Sequence, residues 1–148
     1  MDKNKKLTFS SKIHAKEKYG SFTKFENRWI RTKDLRSINY KDKNIFSKIN
    51  LFEGKKYKWG GKNFNGVDCS ALVQLFFNFN NEFCPRDTKD QLNYFKKKIK
   101  LRNINRNDLI FWQGHVAITL SKNKLIHAYG PSKKVSIMNI NYAIKRIE

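Results

Sequence analysis

Short apolar clusters separated by polar residues dominate the amino-terminal part of the chain. Leu7–Phe9, Phe22–Phe25 and the pair Trp29-Ile30 are of this kind, and clusters of this length between polar stretches are typical of small strands. The polar, charged residues 37–44 indicate a linker with a boundary near residue 40. We therefore predict a small β segment over residues 1–40 and a main domain over residues 45–148.

The middle of the chain predicts helices around a glycine-rich loop. Residues 45–52 recover an apolar pattern that suits a short helix, and residues 57–68 are rich in Gly and Asn, as in an ordered loop. From Cys69 to Phe77 the chain is apolar nearly all round and lacks Gly and Pro, which predicts a buried helix, and Asp68 is a natural N-cap for it. A second helix is expected from Thr88 to about Lys97.

The last third of the chain changes to strand character. Its apolar runs are Leu109–Trp112, His115–Leu120, Leu125–Tyr129 and Val135–Ile140. Runs of this length with short loops between them predict an antiparallel meander. Helices followed by such a sheet, without alternating β-α-β units, place the chain in the α+β class.

Length and charge set limits on the kind of protein. The 148 residues, of which 39% are hydrophobic and twelve are Phe, suffice for one proper core. The net charge of +20 favours anionic polymers as possible partners, although a solvated Lys-rich surface has the same composition. The sequence contains no recognition helix, zinc module or Arg-aromatic motif, so no specific nucleic-acid partner is expected.

Apolar runs, cysteines and histidines bear on location, disulfides and cofactors. No apolar run approaches the length of a bilayer span and the amino terminus is polar, so we expect no membrane span and a cytoplasmic location. Cys69 and Cys84 are too few for a disulfide framework. Only three histidines are present, without zinc-binding spacing, so neither a metal nor another cofactor is expected.

Cys69 is the first candidate for chemistry. A thiol at the start of a helix lies against the positive end of the helix dipole, which favours the nucleophilic thiolate. The first-turn N–H groups can also hold the oxyanion of a tetrahedral intermediate. The alternative is that Cys69 is a small buried core residue.

Two histidines favour the catalytic interpretation, because thiol chemistry needs a base and a group that orients the base. His115 begins one predicted strand and His127 lies on the next. A loop of odd length between these strands would put both side chains on one face as diagonal neighbours, whereas a two-residue loop would separate them.

Five motifs in register resemble those of NlpC-type, papain-like cysteine peptidases. They cover residues 50–148 approximately and read Tyr57-x-Trp59-Gly60-Gly61, Gly66-x-Asp68-Cys69-Ser70-Ala71-Leu72-Val73-Gln74, Pro85-Arg86-Asp87-Thr88-x-x-Gln91, Asp108-Leu109-Ile110-Phe111-Trp112-x-Gly114-His115-Val116-Ala117-Ile118, and Ile126-His127-Ala128. The family commonly has Gly where this chain has Ala71. The amino-terminal part resembles a shortened bacterial SH3-like module, chiefly at Trp29-Ile30.

The resemblance implies roles for individual residues. Cys69 would be the nucleophile, His115 the general base and then acid, and His127 the residue that orients His115. The substrate pocket would be lined by Tyr57, Asp68, Ser70 and Arg86. Asp68 and Ser70 would meet a charged amino group of the substrate, since a carboxylate beside a hydroxyl accepts an ammonium group well.

The implied reaction is hydrolysis, through an acyl-enzyme, of the γ-D-glutamyl bond to a diamino acid in a peptidoglycan stem peptide. The expected partner is thus a peptidoglycan-derived peptide, met during muropeptide turnover or recycling. Two alternatives are open: an amidase or acyltransferase on the same scaffold, and a cationic polymer-binding module with a vestigial site.

Overall fold

The computed structural model describes residues 7–147. Residues 1–6 and residue 148, at the outer ends of the two expected domains, lie outside the described residues. No helix within residues 7–147 has the length and apolar character needed to cross a membrane.

The amino-terminal part forms a small antiparallel sheet in the order β1-β2-β3. Its strands are β1 (Glu17–Tyr19), β2 (Phe22–Phe25) and β3 (Arg28–Arg31). Thr23 and Phe25 point inwards and are buried, whereas Tyr19 and Trp29 on the other face are exposed. The period of two along β2 therefore separates a buried face from a solvent face, as a half-buried strand requires.

The buried central helix α1 runs from Cys69 to Phe79. Asp68 caps it with backbone angles in the extended region, and its side chain accepts a hydrogen bond from the amide of Ala71. Seven of its residues are buried: Cys69, Ser70, Ala71, Leu72, Val73, Leu75 and Phe76. A helix that is apolar nearly all round needs neighbours on several sides. A four-stranded sheet within residues 109–139 packs on one side of α1, and the aromatic residues Phe46 and Phe52 pack on another.

The large sheet is an antiparallel meander in the order β6-β7-β8-β9. Its strands are β6 (Leu109–Trp112), β7 (His115–Thr119), β8 (Lys124–Tyr129) and β9 (Lys134–Asn139). A shorter hairpin, formed by β4 (Lys62–Asn63) and β5 (Gly66–Val67), lies in the loop that leads to α1. This mixture of helices with a separate antiparallel sheet is the α+β papain-like fold that the sequence predicts.

The two faces of the large sheet bury different clusters. Val116, Ile118 and Ile126 belong to the core cluster that contains α1. Ala117 and Leu125, which alternate with them, belong to a second cluster with Ile104, Ile140 and Ala143. The last two residues lie on α3 (Ile140–Arg146), so the sheet is covered by a helix on each face.

The structure corrects several predicted boundaries. The helix α2 covers Thr88–Tyr94 rather than reaching Lys97; it ends where the ring of Phe95 packs on Phe77, with centroids 5.1 Å apart. Within residues 45–52, only Ile49–Phe52 is helical, as a 3-10 turn.

The prediction that the last strand extends to Ile140 is also wrong. β9 stops at Asn139, whose side chain accepts a hydrogen bond from the amide of Tyr142 and so starts α3. An Asn that caps the next element outweighs the strand preference of the isoleucine after it. The helix α3 over residues 140–146 is not among the predicted elements.

Candidate active site

Cys69 lies at the first position of α1 and is 5% exposed. Of the amides in the first turn, Ala71 N–H bonds to the Asp68 carboxylate and Leu72 N–H to the Asp68 carbonyl. The amides of Cys69 and Ser70 have no acceptor among the recorded bonds of residues 7–147. They are the donors that remain for an oxyanion formed at the cysteine.

The carboxylate beside the cysteine is already fully engaged. Arg86 donates two parallel hydrogen bonds to Asp68, from Nη1 to Oδ1 at 3.0 Å and from Nη2 to Oδ2 at 2.6 Å. Its Nη1 also donates to Ser70 Oγ at 3.0 Å. Gly60 N–H and Ala71 N–H donate to the same carboxylate. The bond to Asp68 is the main reason why the pKa of Arg86 is raised. This forked pairing is the strongest geometry for an arginine and a carboxylate.

Two oxygen atoms approach the cysteine sulfur. Thr88 Oγ1 lies 3.8 Å from Cys69 Sγ, and the carbonyl oxygen of Gly114 lies 4.0 Å from it. Gly114 immediately precedes His115, so the turn between β6 and β7 lies against the nucleophile. The residues described show no direct hydrogen bond between the sulfur and His115; catalytic hydrogen bonds of this kind often shorten only when substrate binds.

The two predicted catalytic histidines are hydrogen-bonded to each other. His115 Nε2 lies 2.9 Å from His127 Nδ1. Their strands pair with Thr119 opposite Leu125, so the intervening loop has an odd number of residues and both histidines share one face, which was the condition set by the sequence. Since Nε2 of His115 is engaged, Nδ1 is the nitrogen that can take a proton from a thiol.

Burial keeps both imidazoles neutral. Desolvation lowers the pKa of His115 from 6.5 to about 4. Desolvation, followed by the charge of His115, lowers the pKa of His127 to about 3. The side chain of His127 is completely buried and its Nε2 has no hydrogen-bond partner among the described residues. A neutral His115 is in the protonation state that a general base needs near neutral pH.

Tyr129 supports the histidine pair with its ring. It stacks on His127 with centroids 4.7 Å apart and planes 4° from parallel, and it meets His115 edge-on at 5.9 Å. Alternation along β8 puts residues 127 and 129 on the same face. Tyr129 is not among the predicted site residues, although its position two residues after His127 on a predicted strand was a usable signal.

Tyr57, which the resemblance assigns to the substrate pocket, lies within electrostatic range of Cys69 and Asp68. Burial raises the pKa of its hydroxyl, and the charges of Cys69 and Asp68 raise it further. Its backbone amide bonds to the carbonyl of Lys133, and its ring lies against Gly130. Tyr57 therefore bridges the loop before α1 and the turn between β8 and β9.

Glycines in the loop before α1 allow its tight path. A Cβ on Gly61 would collide with the backbone carbonyl of Gly66. Gly60 has a positive φ of 72° and donates its amide to Asp68. The glycines thus place the carboxylate that caps the nucleophile helix.

A second thiol lies in the core behind the site. Cys84 is 2% exposed, and burial raises its pKa to about 12, so Cys84 is an inert core residue. Buried Gln91 donates from Nε2 to the carbonyls of Ser70 and Pro85, at 2.9 Å each. Gln91 thus ties the segment that carries Arg86 and Thr88 to the first turn of α1.

The geometry agrees with the motifs of a known family. Residues 54–147 match the NlpC/P60 family, and the chain belongs to that family. Among residues 7–147 no group of three or more His, Cys, Asp or Glu side chains is placed to hold a metal ion.

Three known proteins illustrate the relationship. The chain is 31% identical over 85 residues to dipeptidyl-peptidase 6 of Lysinibacillus sphaericus, covering 57% of this chain and 31% of the relative. It is 31% identical over 120 residues to murein DD-endopeptidase MepS/murein LD-carboxypeptidase of Escherichia coli strain K12, covering 76% of this chain and 62% of the relative. The crystal structure of an NlpC/P60 family protein from Bacillus cereus superposes with a TM-score of 0.78 at 21% identity, covering 91% of this chain and 50% of that one.

These relatives are longer proteins. The chain spans less than two thirds of the length of either curated relative. The Bacillus cereus structure supports the fold, including most of the amino-terminal part, since 91% of the chain is covered.

Proposed function

We propose that this chain is a cysteine endopeptidase that hydrolyses the γ-D-glutamyl bond to a diamino acid in peptidoglycan stem peptides. The observation that carries the proposal is a cysteine at a helix amino terminus, beside a turn that leads into a hydrogen-bonded histidine pair. The murein endopeptidase among the relatives supports the class of substrate.

The first half of the proposed reaction forms the acyl-enzyme. His115 takes the thiol proton of Cys69 on Nδ1, and the sulfur attacks the scissile carbonyl carbon. The amides of Cys69 and Ser70 donate to the oxyanion as it forms. His115 then gives its proton to the leaving amine nitrogen, the C–N bond breaks, and the acyl group remains on sulfur as a thioester.

The second half reverses these proton transfers with water. His115, again neutral, takes a proton from a water molecule whose oxygen attacks the thioester carbon. The tetrahedral intermediate collapses, the C–S bond breaks and the proton returns to sulfur. Throughout, His127 Nδ1 accepts from His115 Nε2–H and holds the ring in one orientation.

The position of Arg86 suits binding of an acyl group that carries a free carboxylate. Its guanidinium has N–H groups beyond those bonded to Asp68 and Ser70, and its side chain is 31% exposed. Both linkages leave one carboxylate of the glutamyl residue free, but in the γ-linked residue this carboxylate shares its carbon with the amide nitrogen, whereas in the α-linked residue the nitrogen lies beside the scissile carbonyl. An arginine fork is the preferred partner for such a group.

A pair of isomeric peptides tests this specificity. The probes are L-Ala-γ-D-Glu-L-Lys and its α-linked isomer, which share composition and charge, with products identified by mass spectrometry. We expect release of Lys from the γ-linked peptide only, and none with the Cys69→Ala variant. Equal cleavage of both isomers would refute the γ-glutamyl specificity, and transfer of the acyl group to an added amine in preference to water would indicate an acyltransferase.

The role of Asp68 is tested with the same γ-linked peptide after acetylation of the amino-terminal amine of its L-Ala residue. If Asp68 and Ser70 bind the free amine, acetylation slows cleavage by about tenfold or more. If Asp68 only holds Arg86, the two rates are equal. The existing bonds from Arg86, Gly60 and Ala71 support the second role, and the amine-binding role stays a prediction until the rates are compared.

The high positive charge supports a second, weaker proposal, that the protein also binds anionic polymers electrostatically. The net charge is +20, from 32 basic and 12 acidic residues, and contacts to polyanions release counterions and weaken steeply with salt. Binding of Cys69→Ala to an anionic wall polymer should fall as salt rises. Salt-independent binding, or none at low salt, would refute this accessory role.

A further inference from the structure

We infer that Thr88 is a further catalytic residue, whose hydroxyl donates a hydrogen bond to the Cys69 thiolate. This inference rests on the proposed role of Cys69 as nucleophile. The direct observation is the 3.8 Å separation between Thr88 Oγ1 and Cys69 Sγ, within hydrogen-bonding distance for sulfur.

The other neighbour of the sulfur cannot stabilise a negative charge. Gly114 offers a carbonyl oxygen at 4.0 Å, which accepts a hydrogen bond from a thiol but has nothing to donate to a thiolate. A hydroxyl can accept from the thiol and then turn to donate once the proton has moved to His115. Thr88 is thus the one side-chain donor recorded at the sulfur within residues 7–147.

The surrounding contacts hold the hydroxyl in place. Thr88 is half-buried at the first position of α2. The preceding segment is bound to α1 at two points, by the paired bonds from Arg86 to Asp68 and by Gln91, which bridges Pro85 and Ser70. A donor fixed in this way needs little reorganisation when charge develops on the sulfur.

Within residues 7–147 His115 makes no hydrogen bond to the sulfur, so a donor to the thiolate has to come from elsewhere. His115 is neutral because burial lowers its pKa to about 4, so the positive charge near Cys69 comes from Arg86, whose pKa is raised in part by Cys69 and which is already paired with Asp68. A hydrogen bond to a charged acceptor is stronger than one to a neutral acceptor. Thr88 would therefore increase the fraction of thiolate available for attack.

The test is the pH dependence of Cys69 alkylation by iodoacetamide, measured with wild type, Thr88→Val and Thr88→Ser. Valine keeps the branched shape without the hydroxyl, and serine keeps the hydroxyl. We expect Thr88→Val to move the midpoint of the alkylation profile upwards by about one pH unit, which is about a tenfold lower rate on the acidic side. Thr88→Ser should lie near wild type. Cys84 will not interfere, since it is buried and its pKa is raised to about 12.

The controls separate this role from a structural one. Thr8→Val, which removes a hydroxyl bonded to Ser11 on the amino-terminal segment, should leave the profile unchanged. Thr88→Ala supplies a second hydroxyl-free variant if valine prevents folding. A Thr88→Val or Thr88→Ala profile that coincides with wild type, or an equal shift in Thr88→Ser, would overturn the inference. Because alkylation uses no peptide, this result is independent of the proposed substrate.

Discussion

The two buried histidines should make the protein sensitive to mild acid. In the folded protein the pKa values of His115 and His127 are lowered from 6.5 to about 4 and about 3. Between these values the unfolded chain binds protons that the folded chain does not, so the free energy of unfolding falls as pH drops below 6.5. The contribution of the two neutral histidines to stability is fully present above pH 6.5 and is lost progressively as the pH falls towards their lowered pKa values.

The expected size follows from the same values. At about pH 4.5 an unfolded histidine is protonated and a folded one is largely neutral, which costs about 2.5 kcal/mol per histidine relative to pH 7. Two histidines give a loss of about 5 kcal/mol, comparable with the whole stability of many small domains. His127→Gln should remove roughly half of this loss, and the carboxylates contribute equally to wild type and variant.

Urea unfolding at the two pH values measures the effect. We expect the difference between the two free energies of unfolding to shrink by about 2–3 kcal/mol in His127→Gln. His14→Gln is the matched control, because His14 is exposed, and its pH dependence should equal that of wild type. An equally steep loss in His127→Gln would refute the burial argument. A wild-type loss carried by His127 alone would show instead that burial does not keep His115 neutral.

Three further predictions concern the residues around the nucleophile. Cys69→Ser should abolish hydrolysis with the fold intact by circular dichroism, whereas Cys84→Ser should retain activity; a dead Cys84→Ser that still folds would mean a second role for that thiol. Arg86→Met should destabilise the protein by about 3 kcal/mol in urea unfolding, because it leaves the buried Asp68 carboxylate unpaired, and adding Asp68→Asn should recover part of the loss. Tyr129→Leu should lower kcat by about threefold to tenfold through loss of the stack on His127, with Tyr129→Phe near wild type; equal losses in both variants would exclude the ring as the cause.

Local patterns in the sequence were sufficient for the elements that carry the site. The apolar run after Asp68, free of Gly and Pro, predicts α1 and puts Cys69 at its first position, because capping and helix burial depend on neighbouring residues alone. The strand runs predict β6 to β8 with His115 at the start of β7. The motifs around these residues indicated the NlpC/P60 family, which the match over residues 54–147 confirms.

Pairing between distant residues depended on the tertiary structure. The sequence left the face of His127 conditional on one loop, and only the register of Thr119 with Leu125 decided it. The approach of Thr88 to Cys69 joins residues 19 positions apart, and the grip of Arg86 on Asp68 spans 18. Periodicity describes which face a residue occupies on its own element, but it carries no information on how two elements pack, so these contacts and the neutral state of the buried histidines are properties of the folded chain.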